Sequence, residues 1–155
     1  IKTDMGYPST EDGVSILSRF KSENPLDAME PVATAADIIA AQQSYTAVHV
    51  SQGMLTYIVQ IAEETRRHPD IILGVSPRGT QALLKTVQVH AILAGRDFVT
   101  PDDIQQIAHP VLEHRLVLSG EARFSGKTRV KKGMNFEILD FILSRVTVPT
   151  EDLEH

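Results

Sequence analysis

Apolar residues recur at helical spacing through six stretches of the chain, and cap signals open most of them. Ser9, with Asp12 three residues on, starts the first as in a capping box. Val14, Ile16, Leu17 and Phe20 give that helix an apolar side. Residues 21–33 carry Pro25 and Pro31 and read as an ordered loop or linker. Thr34 with Asp37 repeats the cap pattern, and Ile38, Ile39, Ala41 and Tyr45 carry a second helix to about Ala47. His49-Val50 is a brief extended link. Ser51 caps a third helix, along which Met54, Leu55, Ile58, Ile61 and Ala62 recur. Glu63 and Arg67 form an i,i+4 pair in the favourable order, and His68-Pro69 ends the helix. Residues 70–75 read as a loop.

A fourth helix runs from Pro77 to Ala94. Leu83, Leu84, Val87, Val89, Ala91, Ile92 and Leu93 cover most of its circumference. Gln81, Lys85 and Gln88 form a narrow polar stripe, which predicts a central helix. Gly95 closes it. Thr100-Pro101-Asp102-Asp103 is the strongest start signal in the chain, followed by Ile104, Ile107, Ala108, Val111 and Leu112. Pro110 predicts a break or kink there. Residues 114–133 have no helical period. Arg115 to Leu118 and Ala122 to Val130 fit short strands or a loose hairpin about Ser125-Gly126. A last helix near Asn135 to Val146 carries Phe136, Leu139, Ile142 and Leu143. The pattern predicts a mostly α fold: a helical bundle with room for a short β-hairpin near residues 115–130.

Composition narrows the function more than the fold. With 155 residues and 42% hydrophobic content the chain can bury a real core, and 5% aromatics make that core aliphatic. It has no Cys, which excludes disulfides, thiolate metal sites and Cys nucleophiles. A formal net charge of −5 argues against a general nucleic-acid binder. No apolar run is long enough to cross a membrane and no signal peptide is visible, so a cytoplasmic setting is expected. Ile1 is not a start residue, so an upstream segment is expected. Leu153-Glu154-His155 reads as the scar of a histidine tag.

No catalytic set assembles from these residues. There is no glycine-rich phosphate loop with Lys and Ser/Thr. His109 and His114 are five apart, wrong for one helix face, so no metal site is expected. Glu63-Glu64 reads as a solvated face, Asp102-Asp103 as a helix start, and Arg66-Arg67 as a cationic last turn. Lys127, Arg129, Lys131 and Lys132 make a small basic run that reads as a solvated loop, with contact to an acidic partner as the alternative. One cation is out of place. Ser76 caps a helix, Pro77 fills its first position, and Arg78 follows in the first turn, where the helix dipole disfavours positive charge. An arginine there is either a plain exposed side chain or one that waits for an anion such as phosphate.

Several strings resemble one family. They are Thr65-Arg66-Arg67-His68-Pro69, Leu73-Gly74-Val75-Ser76-Pro77-Arg78, Gly95-Arg96-Asp97-Phe98-Val99-Thr100-Pro101-Asp102-Asp103 and Val111-Leu112-Glu113-His114-Arg115-Leu116. Together they resemble the C-terminal lid of MoxR-type AAA+ ATPases. Pro25-Leu26-Asp27 and Pro31-Val32 fit that family's linker, and Gly6-Tyr7-Pro8 its junction between ATPase core and lid. The resemblance covers roughly residues 5–118.

It implies that residues 1–8 end the core and form the hinge, that 9–150 are the lid, and that 151–155 are a tail. Arg78 then matches the sensor 2 arginine that reaches the γ-phosphate of ATP, with Pro77 beside it. Gly6, Tyr7 and Pro8 would lie near the nucleotide base. The phosphate loop and the Mg site belong to the upstream core, so the chain alone should not hydrolyse ATP. The parent would be an ATPase in a homo-oligomeric ring, by resemblance a hexamer. Its lid would work against the core of the same or a neighbouring subunit, on client proteins, beside von Willebrand factor A domain proteins. No nucleic acid and no membrane is implied. The alternative is a helical protein-interaction module with no nucleotide role.

Overall fold

A computed structural model describes residues 1–21, 24–120 and 133–150. The chain divides into two compact units, Thr3–Gln43 and a larger one made of Ile1–Lys2 with everything from Ser44 onward.

The smaller unit holds helices α1 (Thr10–Arg19) and α2 (Ala35–Ser44), with a 3-10 turn at Pro25–Ala28 between them. Both helix starts are set locally. Ser9 Oγ accepts from the Asp12 N–H at 3.1 Å, and Asp12 Oδ2 accepts from the Ser9 hydroxyl at 2.7 Å. Thr34 and Asp37 make the same reciprocal bonds, and the Thr34 donors hold the Asp37 carboxyl below its ordinary range. None of the described residues of these helices is buried. The apolar side read for α1 exists, but Val14, Ile16, Leu17 and Phe20 are all exposed.

The larger unit is the helical bundle. It contains α3 (Gln52–Arg67), strand β1 (Ile71–Leu73), α4 (Pro77–Leu93), α5 (Pro101–Leu112), strand β2 (Val117–Leu118) and α6 (Met134–Arg145). The Ser51, Ser76 and Thr100 side chains each accept the backbone N–H three residues on. Met54, Ile58 and Ile61 of α3, Leu83 and Val87 of α4, Ile104 and Val111 of α5, and Leu139 and Ile142 of α6 meet in one core. Among the described residues its one large aromatic is Tyr57, whose hydroxyl accepts from Gln105 Nε2 at 3.1 Å. Pro110 stays inside α5, which runs on to Leu112. Only one intrahelical N–H is lost to it, and Val111 and Leu112 anchor the last turn in the core.

Two expectations need correction. Residues 70–75 are not all loop: Ile71–Leu73 pair antiparallel with Val117–Leu118, Ile71 opposite Leu118 and Leu73 opposite Val117. Arg115 belongs to a 3-10 turn, and among the described residues the partner of β2 is β1, from before α4. A strand of two or three residues has no readable alternation, and its partner lies more than forty residues away. The hairpin arm Ala122–Val130, the basic run at 127–132 and the tail 151–155 lie outside the described residues.

Helix α4 is also less enclosed than its composition suggests. Gly79, Leu83, Val87 and Ala91 are buried, spaced four apart on one face. Leu84 and Ile92 are half-buried, while Val89 and Leu93 are exposed. Hydrophobicity around a helix shows what could be covered, not what is. Leu83→Ala is therefore expected to cost about 2–5 kcal/mol, the range for a fully buried leucine. Leu84→Ala should cost clearly less. Denaturant unfolding of the two variants checks this, and equal losses would contradict the burial pattern.

Candidate functional site

The out-of-place arginine stands on a scaffold built from the end of α3 and the start of α4. Thr65, in the last turn of α3, is fully buried. Its hydroxyl donates to the Ala62 carbonyl at 2.6 Å and accepts from the Val75 N–H at 2.9 Å. Arg66 Nε donates to the Val75 carbonyl at 2.8 Å. Gly74 lies so close to this turn that a Cβ would meet Thr65 C, Thr65 O and Arg66 N, each at 2.8 Å. Gly79 is the second close approach: a Cβ there would meet Val75 Cγ1 at 2.9 Å and Arg115 Cδ at 3.5 Å. Arg115 Nε is meanwhile bonded to the Val111 carbonyl at 2.9 Å.

Ser76 Oγ accepts the Gly79 N–H at 3.2 Å, and Pro77 occupies the first helical position. Arg78 follows, exposed, in an open groove lined also by Gln81, Ala82 and Lys85. No acidic residue stands in the first turn of α4. Among the described residues, the Arg78 side chain has no hydrogen-bond or ion-pair partner. A second cation, Lys85, lines the same groove two turns along. This arrangement fits an anionic group and repels a cationic one.

Gly6, Tyr7 and Pro8 belong to the smaller unit and are exposed. Gly6 has φ +64°, a left-handed conformation that suits glycine, and its N–H donates to Asp4 Oδ1 at 2.9 Å. Pro77 and Arg78 belong to the larger unit.

A second cluster was not legible as such. Asp103, read only as part of a helix start, is 2% exposed and accepts both Nη groups of Arg96, at 2.7 and 2.5 Å. It also accepts the Thr100 N–H at 2.8 Å and hydroxyl at 2.9 Å, and His90 Nδ1 lies 2.9 Å away. Burial pushes this carboxyl up. The bonds from Arg96, Thr100 and His90 outweigh burial and hold it far below the usual carboxylate range. The cluster joins the end of α4 to the start of α5. The cap pair Thr100/Asp103 was the one signal in the sequence that pointed to it. The Asp103 carboxylate is fully engaged by these partners, which fits a structural role.

The other titratable groups stay apart. His109 stacks on Phe136 with ring centroids 3.9 Å apart, whereas His114 is exposed. Neighbouring groups still strip part of the water from the ring, and that loss, then the charge of Arg115, lowers the His114 pKa. Glu63 and Glu64 both pair with Arg67 at the surface, at 3.1 and 3.2 Å. Among the described residues, no three His, Asp or Glu side chains are placed to share a metal ion.

Comparison with known proteins bears on this scaffold. Residues 63–132 match the family model of the AAA lid domain. The chain is 43% identical over 125 residues to YeaC of Bacillus subtilis, an uncharacterized protein, covering 81% of this chain and 39% of that one. It is 28% identical over 130 residues to the chaperone MoxR1 of Mycobacterium tuberculosis, covering 78% of this chain and 34% of the relative. Its fold follows a solved structure from Cytophaga hutchinsonii, provisionally described as an ATPase. That likeness has a TM-score of 0.81 at 22% identity and covers 94% of this chain and 45% of the other. The chain is a lid domain of the MoxR family of AAA+ ATPases. It spans between a third and two-fifths of the length of these two curated relatives.

Proposed function

We propose that this lid belongs to a longer, ring-forming ATPase and that Arg78 is its sensor of bound nucleotide. The observation that carries the reading is the exposed guanidinium in the first turn of α4, with no acid in that turn. The nucleotide would supply the phosphoryl group and the negative charge. Arg78 would donate charge-assisted hydrogen bonds to it, with Ser76 and Pro77 holding the backbone from which it reaches. Those bonds strengthen as charge builds on the transferred group, which is how a positioned arginine raises a rate. Gly6, Tyr7 and Pro8 serve as the hinge beside the base, between core and the lid of residues 9–150. The phosphate loop and the Mg ligands lie in the core, in the same or a neighbouring subunit. The ring is a hexamer, cytoplasmic, and turns the ATP cycle into remodelling or activation of client proteins. Proteins with von Willebrand factor A domains are the partners the family suggests.

The test is Arg78→Ala in the full-length protein. Losing a hydrogen bond to a charged group removes about 1.5–3 kcal/mol, so turnover should fall about 10- to 100-fold. Arg78→Lys should recover only part, because an ammonium lacks the planar fork. The 155-residue chain carrying Arg78→Ala should melt as the wild type does, or slightly higher, since the charge opposes the helix dipole. Full turnover in Arg78→Ala would remove the sensor role.

A further inference from the structure

We infer that Thr65 and Arg66 are positioning residues for Arg78: they act through the backbone of Val75 and set where the guanidinium points. The inference rests on the sensor reading of Arg78 and adds the device that aims it. Val75 lies between the end of β1 at Leu73 and the cap of α4 at Ser76. Neither the strand ladder nor the helix can satisfy its N–H and C=O, and the residue is buried, so water does not reach it. Both groups are instead taken by side chains from consecutive residues of α3. Thr65 Oγ1 accepts the N–H at 2.9 Å and Arg66 Nε donates to the C=O at 2.8 Å. Thr65 has its own proton committed to the Ala62 carbonyl, which turns a lone pair toward Val75. The grip reaches the sensor in one further step. The Val75 side chain lies against Gly79, whose missing Cβ lets it approach the first turn of α4. Arg78 is the neighbour of Gly79 in that turn. The cation is exposed and unguided by any partner of its own among the described residues, so its aim depends on the backbone beneath it. A displacement of about 1 Å at such a group can cost on the order of a hundredfold in rate.

The experiment is steady-state ATP turnover of the full-length protein, run well below the Tm of each variant. Thr65→Val keeps the shape and removes the hydroxyl; it should lower kcat about tenfold, and Thr65→Ser should restore it. Arg66→Met should lower kcat in the same direction. Arg67→Met removes a charge one residue on, from a side chain committed to Glu63 and Glu64, and should leave kcat unchanged. The decisive arm places Thr65→Val and Arg66→Met on an Arg78→Ala background, where neither should lower kcat further. An equal further loss on that background would overturn the inference, because Thr65 would then be only structural or Arg66 would meet the nucleotide itself. Wild-type kcat in both Thr65→Val and Arg66→Met, with Arg78→Ala slow, would also overturn it and leave the sensor reading standing. Full turnover in Arg78→Ala sinks the sensor reading and this inference with it. If Thr65→Val fails to fold, Arg66→Met alone and with Arg78→Ala decides.

Discussion

Asp103→Asn is expected to destabilise the chain by about 3 kcal/mol at neutral pH, the low end for breaking a buried ion pair. The carboxylate accepts two Nη bonds from Arg96 and two donors from Thr100, with His90 beside it. An amide in the same place accepts through one oxygen and presents an NH2 toward donors. Arg96 and His90 keep partial access to water, which is why the low end of the range applies. The loss should also depend on pH, and its sign follows from the depressed carboxyl. The unfolded chain takes up a proton at this carboxyl near its ordinary value of 3.8, and the folded chain only well below that. The contribution of Asp103 is therefore complete above the carboxylate range and declines as pH falls through and below it. Wild type and Asp103→Asn should differ most at pH 7 and converge toward acid. Urea unfolding of both proteins at pH 7, 5 and 3 measures the difference. A gap that stays constant or widens toward acid would show that Asp103 is not the buried carboxylate described.

Gly74→Ala should be comparably damaging, again about 3 kcal/mol, for a different reason. The added methyl would meet Thr65 and Arg66 backbone atoms at 2.8 Å. Backbone in the last turn of a helix cannot rotate aside as a side-chain tip can. The loop after β1 must lift away, and both bonds to Val75 lengthen with it. Gly13→Ala is the control, because among the described residues a Cβ there meets nothing within 4 Å. Thermal unfolding of the pair checks the contrast. A Gly74→Ala protein that melts with the wild type would mean that the two segments are not in contact as described.

What could be read in the sequence was what neighbouring residues decide among themselves. Ser9 with Asp12, Ser51, Ser76 and Thr100 with Asp103 cap their helices because a cap needs only residues within one turn. The unusual setting of Arg78 was legible for the same reason: a cation in a first turn conflicts with its local field. Long-range pairing was not legible. Nothing local marks Ile71–Leu73 as the partner of Val117–Leu118. Nothing marks Arg66 as a ligand of Val75 in preference to a charge in a last turn. Gly74 stood out as part of a motif, but the reason for it and for Gly79, a backbone that leaves no room for a methyl, exists only in three dimensions. Burial was misjudged where a partner could not be counted. Leu93 and the apolar side of α1 are as hydrophobic as core residues and remain exposed.

Helix α4 is fastened at both ends. Thr65 and Arg66 grip the residue before its cap, and His90 in its last turn meets Asp103 at the start of α5. The helix itself is 17 residues long, about 25 Å. Because its last turn is tied to Asp103, any tilt of this rod is passed on to the start of α5. A tilt of about 5° at the Arg78 end carries the opposite end through about 2 Å, by the length of the helix alone. Leu93 rides on that opposite end with its apolar side chain exposed. Under the sensor role proposed for Arg78, the largest movement would fall at Leu93, one helix length from the nucleotide.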